Sequence, residues 1–394
     1  MKYFLFTTVF VLLFFSGCKK KITQIEIDTH NVIHVAIETK PKGILQLYTI
    51  ADSVQFIKLD NSDDALIGTV SYAHFFDDLM FIHDRKGHSV LVYDKMGKFK
   101  YKIFRRGNGP GEYRYASHLM VDDNRRQLIL YDAGQRKMIF YNFRGEYIKE
   151  INNFNNGQIF RDVINLPNGH FLCYRYDFEA DSYHGLWETD SLGNYVKHFL
   201  NPEIEYPYTG GEDPLFLYKL SDNKVGLMSV ENDIYHYEND TLKKFITYKL
   251  DGVNILNFPK QNKSLEKFSN ILATYEKNNY VLTEWLDSKN RHFVSLFSSI
   301  DKTVTSFGAI DYEFGINGIM GHSVHSNLTN ILLLTIPAGT LSLLLNDNNV
   351  SEDIKSQITT LTSNMSDEEI GDMNPVLEIV YLKQNDLSST PSSP

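Results

Sequence analysis

The local sequence with the clearest chemical pattern is a short segment rich in arginine and glycine, Arg105-Arg106-Gly107-Asn108-Gly109-Pro110-Gly111-Glu112-Tyr113. Its glycines stand at alternate positions, as in some loops that bind phosphate groups. A phosphate-binding loop follows a strand and opens a helix whose N-terminus faces the anion. Here Pro110 and the strand-like segment that follows supply no such helix. The segment therefore does not predict a nucleotide-binding site.

Two interpretations of this segment stay open. In the first its role is conformational: glycine allows positive φ angles, Pro110 stiffens the loop, and Glu112 and Tyr113 form hydrogen bonds within the turn. In the second, Arg105, Arg106 or Glu112 faces a ligand, with Tyr113 beside them. The segment connects two repeated units, and in a β-propeller such connections surround the mouth of the central channel. This position makes it the first candidate for ligand binding.

Histidines and carboxylates offer a weaker set of candidates, for a metal site. Metal-dependent propeller hydrolases and lyases gather such side chains from several inner strands and leave one coordination position open for water. His118 and His325 fall on predicted inner strands, and Asp84 is a candidate carboxylate. Most of the 13 histidines should be ordinary ones, because no His-x-His, HExxH, GxSxG or Walker pattern occurs. The sequence predicts no cofactor and favours a protein without catalytic activity.

Tyrosines in another loop are placed where they could stack on a sugar. Tyr206 and Tyr208 belong to a segment that is loop by composition, Tyr206-Pro207-Tyr208-Thr209-Gly210-Gly211. In the alternative interpretation they cover apolar surface of the loop itself. Most of the 24 tyrosines and 26 phenylalanines should pack between strands, because they alternate with polar residues. Tyr206 and Tyr208 are therefore further candidates for ligand binding.

Six repeats of one hairpin form the elements that must position these residues. Each repeat has a short apolar strand, a turn rich in Asp, Asn or Gly, and a second strand dense in aliphatic and aromatic residues. The turn residues are separated by 46, 44, 55, 56 and 51 residues. They are Asp78, Asn124, Asn168, Asn223, Asn279 and Asn330. This recurrence indicates a repeat architecture.

A second hairpin follows most of the first ones, and Gly97, Gly145 and Gly193 stand where its turn requires positive φ. Four strands in each unit of about 40 to 55 residues are typical of a β-propeller, whose blades leave only short edges. The sequence therefore predicts an all-β fold, a six-bladed β-propeller with short helical insertions. A pair of β-sandwiches also places strands every 8 to 12 residues or so, but it gives no reason for the repeated double hairpin.

Segments outside the repeats complete the expected ring and its insertions. Strands at Val54–Leu59 and Val376–Leu382 should lie in the same blade and close the ring. Helical spacing of apolar residues over 265–275 predicts an insertion helix. A second helix is expected after Asn349, which would form a capping box with Glu352. Another capping box is expected between Ser366 and Glu369.

The N-terminus has the pattern of a bacterial secretory leader. Lys2 precedes an uncharged run from Tyr3 to Phe15, shorter than the ~20 residues that span a bilayer. Phe15-Ser16-Gly17-Cys18 resembles the lipoprotein processing box, which implies lipidation of Cys18. An ordinary signal peptide is the alternative. The expected organisation is a signal peptide at 1–17, a lipidated tether at 18–40, the propeller at 41–385 and a disordered tail at 386–394.

Composition excludes several classes of protein. The chain of 394 residues, with 42% hydrophobic and 22% charged residues, is globular in composition. A formal net charge of -10 provides no basic field for a phosphate backbone, so nucleic acid is not an expected partner. Two cysteines allow neither a disulfide framework nor a Cys-rich zinc site. Cys173 lies in an apolar stretch and is expected to be a buried, inert residue.

The GNGPGEY segment, the sequence Asn374-Pro375-Val376-Leu377 and the leader together resemble the six-bladed β-propeller lipoproteins of Bacteroidota, a family largely of unknown function. The resemblance covers roughly Val54 to Leu382. It implies the propeller fold and an envelope location, and no established substrate. The chain departs from the family at Met373, where an acidic residue is usual, and this weighs against a ligand role there.

These features predict a membrane-anchored lipoprotein of the cell envelope that binds a ligand or a protein without catalysis. Expected partners are the membrane, through the lipid, and a glycan, a peptide or an envelope protein. The alternative is a metal-assisted hydrolase or lyase that acts on a sugar or a small envelope metabolite. In that case Asp84, His118 and His325 would carry the metal.

Overall fold

The chain folds mostly into β-strands. The computed structural model describes residues 28–36, 50–175, 185–200, 216–221, 223–229, 233–249, 270–277, 279–286, 292–300, 302–307, 322–346, 350–363 and 365–383. In chain order the strands are β1 Ile33–Ala36, β2 Ala51–Ile57, β3 Val70–Phe76, β4 Leu79–Asp84, β5 Ser89–Asp94, β6 Phe99–Ile103, β7 His118–Asp122, β8 Gln127–Asp132, β9 Lys137–Asn142, β10 Tyr147–Ile151, β11 Asp162–Asn165, β12 Phe171–Arg175, β13 Gly185–Thr189, β14 Tyr195–His198, β15 Leu217–Ser221, β16 Lys224–Met228, β17 Asp233–Glu238, β18 Thr241–Lys249, β19 Asn270–Lys277, β20 Tyr280–Leu286, β21 His292–Ser298, β22 Val304–Phe307, β23 His322–Ser326, β24 Ile331–Ile336 and β25 Val376–Leu382.

The repeated element of the fold is a unit of four antiparallel strands. Consecutive strands form unit 1 (β3–β6), unit 2 (β7–β10), unit 3 (β11–β14), unit 4 (β15–β18) and unit 5 (β19–β22). Unit 6 combines β23, β24 and β25 with β2. A predicted hairpin joins the first two strands in every unit, so the hairpin prediction is confirmed. Units 6 and 1 share one eight-stranded sheet, because β23 and β3 pair in parallel over two residues.

The two predicted terminal strands pair with each other. β2 runs antiparallel to β25, from Ala51 opposite Leu382 to Ile57 opposite Leu377. Alternate residues of β25 pack against different neighbouring units, as expected for a strand that is buried on both faces. Leu377 and Ile379 belong to an apolar cluster with unit 1. Val380 and Leu382 belong to a cluster with unit 5.

The apolar core lies between successive units. Separate clusters of buried side chains join unit 1 to unit 2 and unit 2 to unit 3. A further cluster joins units 3, 4 and 5. With the two clusters around β25, every unit has a packed contact with the unit before it and the unit after it.

The turn between the third and fourth strands has the same structure in units 1, 2 and 3. The side-chain oxygen of an Asp or Asn accepts two backbone N–H groups of the turn, an Asx arrangement that replaces missing ladder hydrogen bonds. A glycine three residues later has φ between 76° and 83°, which confirms its predicted role. The pairs are Asp94 with Gly97, Asn142 with Gly145, and Asp190 with Gly193.

Substitution of one of these glycines tests the turn. Gly97→Ala is expected to lower the free energy of unfolding by about 1 to 3 kcal/mol, because φ is +83° and the new Cβ would collide with the carbonyl oxygen of Lys58. Gly339→Ala is the matched control, since a Cβ there meets no atom within 4 Å. Urea denaturation of both variants measures the difference. Equal losses would contradict the proposed strain.

Helices occupy the insertion between β24 and β25. They span Leu341–Asn346, Glu352–Leu361 and Asp367–Gly371, and short 3₁₀ turns lie at Asp63–Ala65 and Ala338–Thr340. The predicted capping box between Ser366 and Glu369 is confirmed. The helix Glu352–Leu361 is capped by Ser351, whose hydroxyl accepts the Ile354 N–H, and not by the predicted Asn349, which lies outside the described residues. No helix among the described residues is long and apolar enough to cross a membrane.

The helix predicted over 265–275 is wrong in its described part, because residues 270–277 form strand β19. Short apolar runs fit a helix or a strand, and here pairing with β20 decides the outcome. The hairpin predicted from Ile271 is correct. Leu265 and Phe268 lie outside the described residues.

The N-terminal segment is also more ordered than expected. The sequence predicts a tether at residues 18–40, but within this range β1 pairs in parallel with the outer strand β18, from Ile33 opposite Ile246 to Ala36 opposite Lys249. Val35 is buried in the core shared by units 3, 4 and 5. The folded part therefore begins before the boundary predicted at residue 41.

Each unit has two distinct ends. Because neighbouring strands are antiparallel, the turns after the first and third strands lie at one end, here called the turn end; in unit 3 these are residues 166–170 and 190–194. The turn after the second strand and the connection to the next unit lie at the opposite end, here called the crossing end. The Arg105–Tyr113 loop precedes β7 and therefore lies at the crossing end.

Candidate functional site

A cavity lies where the first strands of several units meet. Its volume is about 40 Å³, room for about three water molecules. Side chains from units 1, 2, 3, 4 and 6 line it. The polar ones are Tyr72, His83, His118, Asp162, Asn165, Tyr218, Lys219, His325 and Ser326.

The first strands of units 2, 3 and 4 lie side by side in the same direction. At their beginnings, His118 Nδ1 lies 3.4 Å from Asp162 Oδ1. Asp162 Oδ2 accepts the backbone N–H groups of Phe216 and Leu217, both at 2.8 Å. Near the other end, Asn165 Nδ2 donates to the carbonyl oxygen of Val121 at 3.4 Å. Asp162 therefore ties unit 3 to the first strand of unit 4.

Burial determines the charge of the His118–Asp162 pair. Loss of solvent raises the pKa of Asp162 to about 7, although its backbone N–H contacts and the more distant Arg85 charge favour the ionised form. Loss of solvent also lowers the pKa of His118 to about 3. The imidazole is therefore neutral at physiological pH, and its contact with Asp162 is not an ion pair.

His83 and His325 are also buried but are held differently. His83 Nε2 donates to the carbonyl oxygen of Ala116 at 2.8 Å, and its Nδ1 lies 2.7 Å from the hydroxyl of Ser71. Burial lowers the pKa of His83 to about 4. Nε2 thus holds the segment before β7, Nδ1 is paired with Ser71 in β3, and neither nitrogen is available to a ligand.

The ring of His325 lies between two tyrosines. Its centroid is 4.6 Å from that of Tyr275 and 5.9 Å from that of Tyr218, with both pairs stacked. Burial lowers the pKa of His325 to about 3, and the Lys277 ammonium acts in the same direction. Lys277 Nζ donates to the carbonyl oxygens of Ser326 and Leu328. This side of the cavity is aromatic and rigid.

Two polar atoms of the cavity wall have no hydrogen-bond partner among the described residues. They are Asn165 Oδ1 and Ser326 Oγ, and both side chains are at least nine-tenths buried. A buried polar atom without a partner costs roughly 1 to 3 kcal/mol. Such atoms in native proteins are usually satisfied by water or by a ligand.

The Arg105–Tyr113 loop is held by its own side chains and by unit 2. Glu112 Oε2 accepts the Gly109 N–H at 2.8 Å, and a Cβ at Gly107 would collide with the same oxygen. Gly111 has φ +70°, and its carbonyl accepts the hydroxyl of Tyr141 at 2.6 Å. The glycines therefore let Glu112 fold back and let the loop approach unit 2 closely.

The remaining side chains of the loop separate into buried and exposed ones. The Tyr113 ring is fully buried, and its hydroxyl donates to the carbonyl oxygen of Ile103 at 3.0 Å. Arg105 and Arg106 are exposed, with their guanidinium groups over the rings of Tyr141 and Tyr115 at 5.8 and 5.6 Å. Arg105 Nη2 also donates to the carbonyl oxygen of Gly145, in the turn after the third strand of unit 2, at 3.3 Å. The loop thus presents Arg106 at the crossing end, whereas Arg105 is held against the turn end of unit 2.

A family model described as a domain of unknown function, DUF4934, matches residues 30–381. The chain belongs to this family. The DUF4934 match starts within the docked N-terminal segment and ends in β25, so it spans all six units. No curated protein matches the chain.

Solved structures similar to this DUF4934 chain include two from Bacteroides. A Bacteroides fragilis protein, described as a candidate exported protein, is 18% identical with a TM-score of 0.72, and the match covers 90% of this chain and 100% of that chain. A DUF4221 family member from Bacteroides vulgatus is 11% identical with a TM-score of 0.48, and the match covers 84% and 97%. The first of these likenesses shows a shared fold.

The structure brings together only part of the predicted metal set. His118 and His325 both line the cavity. Asp84 does not: its carboxylate accepts the backbone N–H groups of Thr69 and Gly87 and holds a turn at the crossing end. Among the described residues, no group of three or more His, Cys, Asp or Glu side chains is arranged to hold a metal ion.

Other predicted residues are placed as follows. Cys18, Tyr206 and Tyr208 lie outside the described residues. Cys173 is fully buried with a free thiol, as predicted, and burial raises the pKa of that thiol.

Asp162, Asn165 and Ser326 line the cavity but were not predicted from the sequence, although a signal was present for Asp162. Aligning the repeats on their turn residues Asn124 and Asn168 places Asp162 at the position of His118. Both residues begin the first strand of their unit. A polar residue at that position in two successive repeats indicates a shared site at the crossing end.

Proposed function

We propose that this DUF4934 protein is an exported, lipid-anchored envelope protein that binds a small polar group in its central cavity without chemical turnover. In this proposal the six units form a closed six-bladed β-propeller. The order of the apolar clusters supports the ring, because each unit packs against the next and unit 6 packs against unit 1. The pairing of β2 with β25 supports its closure.

The observation that carries the binding proposal is the pair of partnerless atoms in the cavity wall. Asn165 Oδ1 only accepts hydrogen bonds, whereas Ser326 Oγ can donate or accept. A hydroxyl or an amide of a ligand can serve both. Hydroxyls and amides occur in glycans and peptides, and the cavity volume fits one such group rather than a whole sugar. The tyrosines that line the cavity favour a polar group on an apolar frame.

The body of the ligand would lie at the crossing end. The exposed guanidinium group of Arg106 stands there over the ring of Tyr115, where it can contact a partner's carbonyl or carboxylate oxygens, and Arg105 belongs to the same loop. Glu112 and Tyr113 would support this surface from within the loop. Tyr206 and Tyr208 remain candidates for the same face.

The anchor in this proposal is a lipid on Cys18, attached after removal of residues 1–17. The leader pattern supports it, and the similar Bacteroides fragilis protein is itself described as a candidate exported protein. Mass spectrometry of the protein extracted from cell membranes tests it directly, since the lipid adds mass to the N-terminal peptide.

Ser326→Ala tests the binding site. We expect the variant to bind roughly 3- to 10-fold more weakly to any member of a panel of monosaccharides, disaccharides and dipeptides that binds the natural protein. The free energy of unfolding should be unchanged or slightly higher, because Ser326 Oγ has no partner to lose. Calorimetric titration and urea denaturation measure the two effects. Equal affinities in the variant and the natural protein would contradict the proposal.

Two additions make this experiment specific. Ser363→Ala is a matched control, because its hydroxyl is on the surface of the helical insertion and donates to Thr360. NMR spectra of the bound compound after incubation, with and without zinc, calcium or manganese, separate binding from turnover. New product signals would favour the metal-assisted hydrolase or lyase, for which the His118–Asp162 contact in the cavity is the supporting observation.

A further inference from the structure

The N-terminal segment is fixed to the outer edge of unit 4 from its first described residue. The Asp28 N–H donates to the carbonyl oxygen of Leu242 at 3.1 Å, and the Lys244 N–H donates to the carbonyl oxygen of Asp28 at 2.9 Å. From Ile33 onward, β1 adds a fifth strand to the sheet. Val35 is only 3% exposed, so a side chain of the segment is part of the core.

This attachment shortens the link between the anchor and the folded body. Only nine residues separate Cys18 from Asp28. A fully extended chain of that length spans at most about 35 Å. A lipid on Cys18 would therefore hold Asp28 close to the membrane surface, whereas a free tether to residue 40 would allow more than twice that distance.

The direction of β1 determines which end of unit 4 is close to the anchor. β1 is parallel to β18, so both strands start at the same end of the sheet. β18 follows the Asn239–Asp240 turn after the third strand of unit 4. Asp28 pairs beside Lys243, next to this turn. The anchor therefore approaches the turn end of unit 4.

The turn ends of the neighbouring units carry exposed apolar side chains. Leu192 in unit 3 is 67% exposed, and Ile300 in unit 5 is 43% exposed. Each lies in the turn after the third strand of its unit, and units 3, 4 and 5 share one core. Two apolar tips thus flank the site where the anchor arrives. Apolar side chains at such a position can enter the boundary between lipid headgroups and acyl chains.

We propose that the turn ends of units 3, 4 and 5 rest on the phospholipid bilayer and that the crossing end faces away from it. The inference rests on the lipid anchor of the proposed function. It gives the protein a defined orientation, in which Arg106 and the beginnings of the inner strands point away from the membrane toward soluble partners.

Fluorescence on vesicles tests this orientation. The chain from Cys18 to Pro394 is coupled through Cys18 to a maleimide lipid in phosphatidylcholine vesicles; the other thiol, Cys173, is buried. Leu192→Trp and Ile300→Trp each place a reporter at the turn end, and the two native tryptophans are buried. Bromine atoms on the acyl chains quench tryptophans that enter the bilayer. The emission added by each new tryptophan should therefore be at least two-fold lower in brominated vesicles than in ordinary ones.

Tyr115→Trp is the matched control at the crossing end, where Tyr115 is 49% exposed. Its added emission should be the same in brominated and ordinary vesicles. Quenching of this control as strong as that of the turn-end reporters, or quenching of none of the three, would overturn the orientation. Because the lipid is attached chemically, the result does not depend on lipidation in the cell, which the mass spectrum of the cellular protein tests separately.

Discussion

Asp162→Ala is expected to lower the free energy of unfolding by about 2 to 5 kcal/mol. The carboxylate accepts the N–H groups of Phe216 and Leu217, both in buried residues at the start of unit 4. Alanine removes the oxygen that accepts both N–H groups, at roughly 1 to 3 kcal/mol for each lost hydrogen bond. Urea denaturation at pH 6 measures the loss. Asp162→Asn keeps one acceptor oxygen and should lose less than half as much.

The pH dependence of the same pair of variants gives an independent measurement. Burial raises the folded-state pKa of Asp162 to about 7, against about 4 in an unfolded chain. Between these values the folded state holds a proton that the unfolded state has released, so stability falls as pH rises, by about 1.4 kcal/mol per pH unit. Asp162→Asn cannot ionise and should lack this contribution. A constant difference between Asp162→Asn and the natural protein from pH 4 to 8 would contradict the raised pKa.

The strand pattern of the fold could be predicted because it is repeated and local. A turn such as Asp94 to Gly97 needs an Asx oxygen and a positive φ within four residues, and this requirement is visible in the sequence. The placing of β2 and β25 in one unit could be predicted, since both strands stand outside the repeated hairpins and a closed ring must join its two ends. The spacing of apolar residues at 270–275 fits both a strand and a helix, so it could not decide between them.

The N-terminal strand was missed for a physical reason. β1 is an edge strand of four residues, with only Val35 fully buried. An edge strand needs one apolar face and gains most of its stability from ladder hydrogen bonds, which leave no mark in composition. Its partner β18 is more than 200 residues away in sequence. Local sequence patterns cannot show such a pairing.

The cavity lies among the predicted inner strands, but its lining differs from the predicted metal set. Placing ligands at the inner strands and crossing loops depends only on the architecture, and His118 and His325 do line the cavity. Assigning Asp84 to the same place failed because carboxylates also serve as acceptors for turn N–H groups. Only the three-dimensional contacts separate Asp162, which faces the cavity, from Asp84, which closes a turn.

Glu378→Gln is expected to raise the free energy of unfolding at high pH. The difference between the variant and the natural protein should be about 3 to 5 kcal/mol more favourable to the variant at pH 9 than at pH 4. Glu378 lies in β25, is 3% exposed, and its Oε2 has no hydrogen-bond partner among the described residues. Burial raises its pKa to about 8. The folded state therefore keeps a proton that the unfolded chain releases above about pH 4, and stability falls through this window until pH 8. Glutamine has the same shape and no charge, so the variant should not show this fall.

Glu369→Gln serves as the control for Glu378→Gln, because Glu369 is an exposed carboxylate whose pKa is lowered by the Ser366 N–H of its capping box. A lowered pKa has the opposite sign, so this variant should gain nothing at high pH. Hydrogen exchange of the β2 amides locates the effect, since Glu378 is opposite Phe56 in the β2–β25 ladder. In the natural protein the protection of β2 should decrease between pH 5 and 8 after correction for the intrinsic exchange rate, and in Glu378→Gln it should stay constant. If the protection of β2 decreased equally in both proteins, ionisation of Glu378 would not control the pairing of the terminal strands.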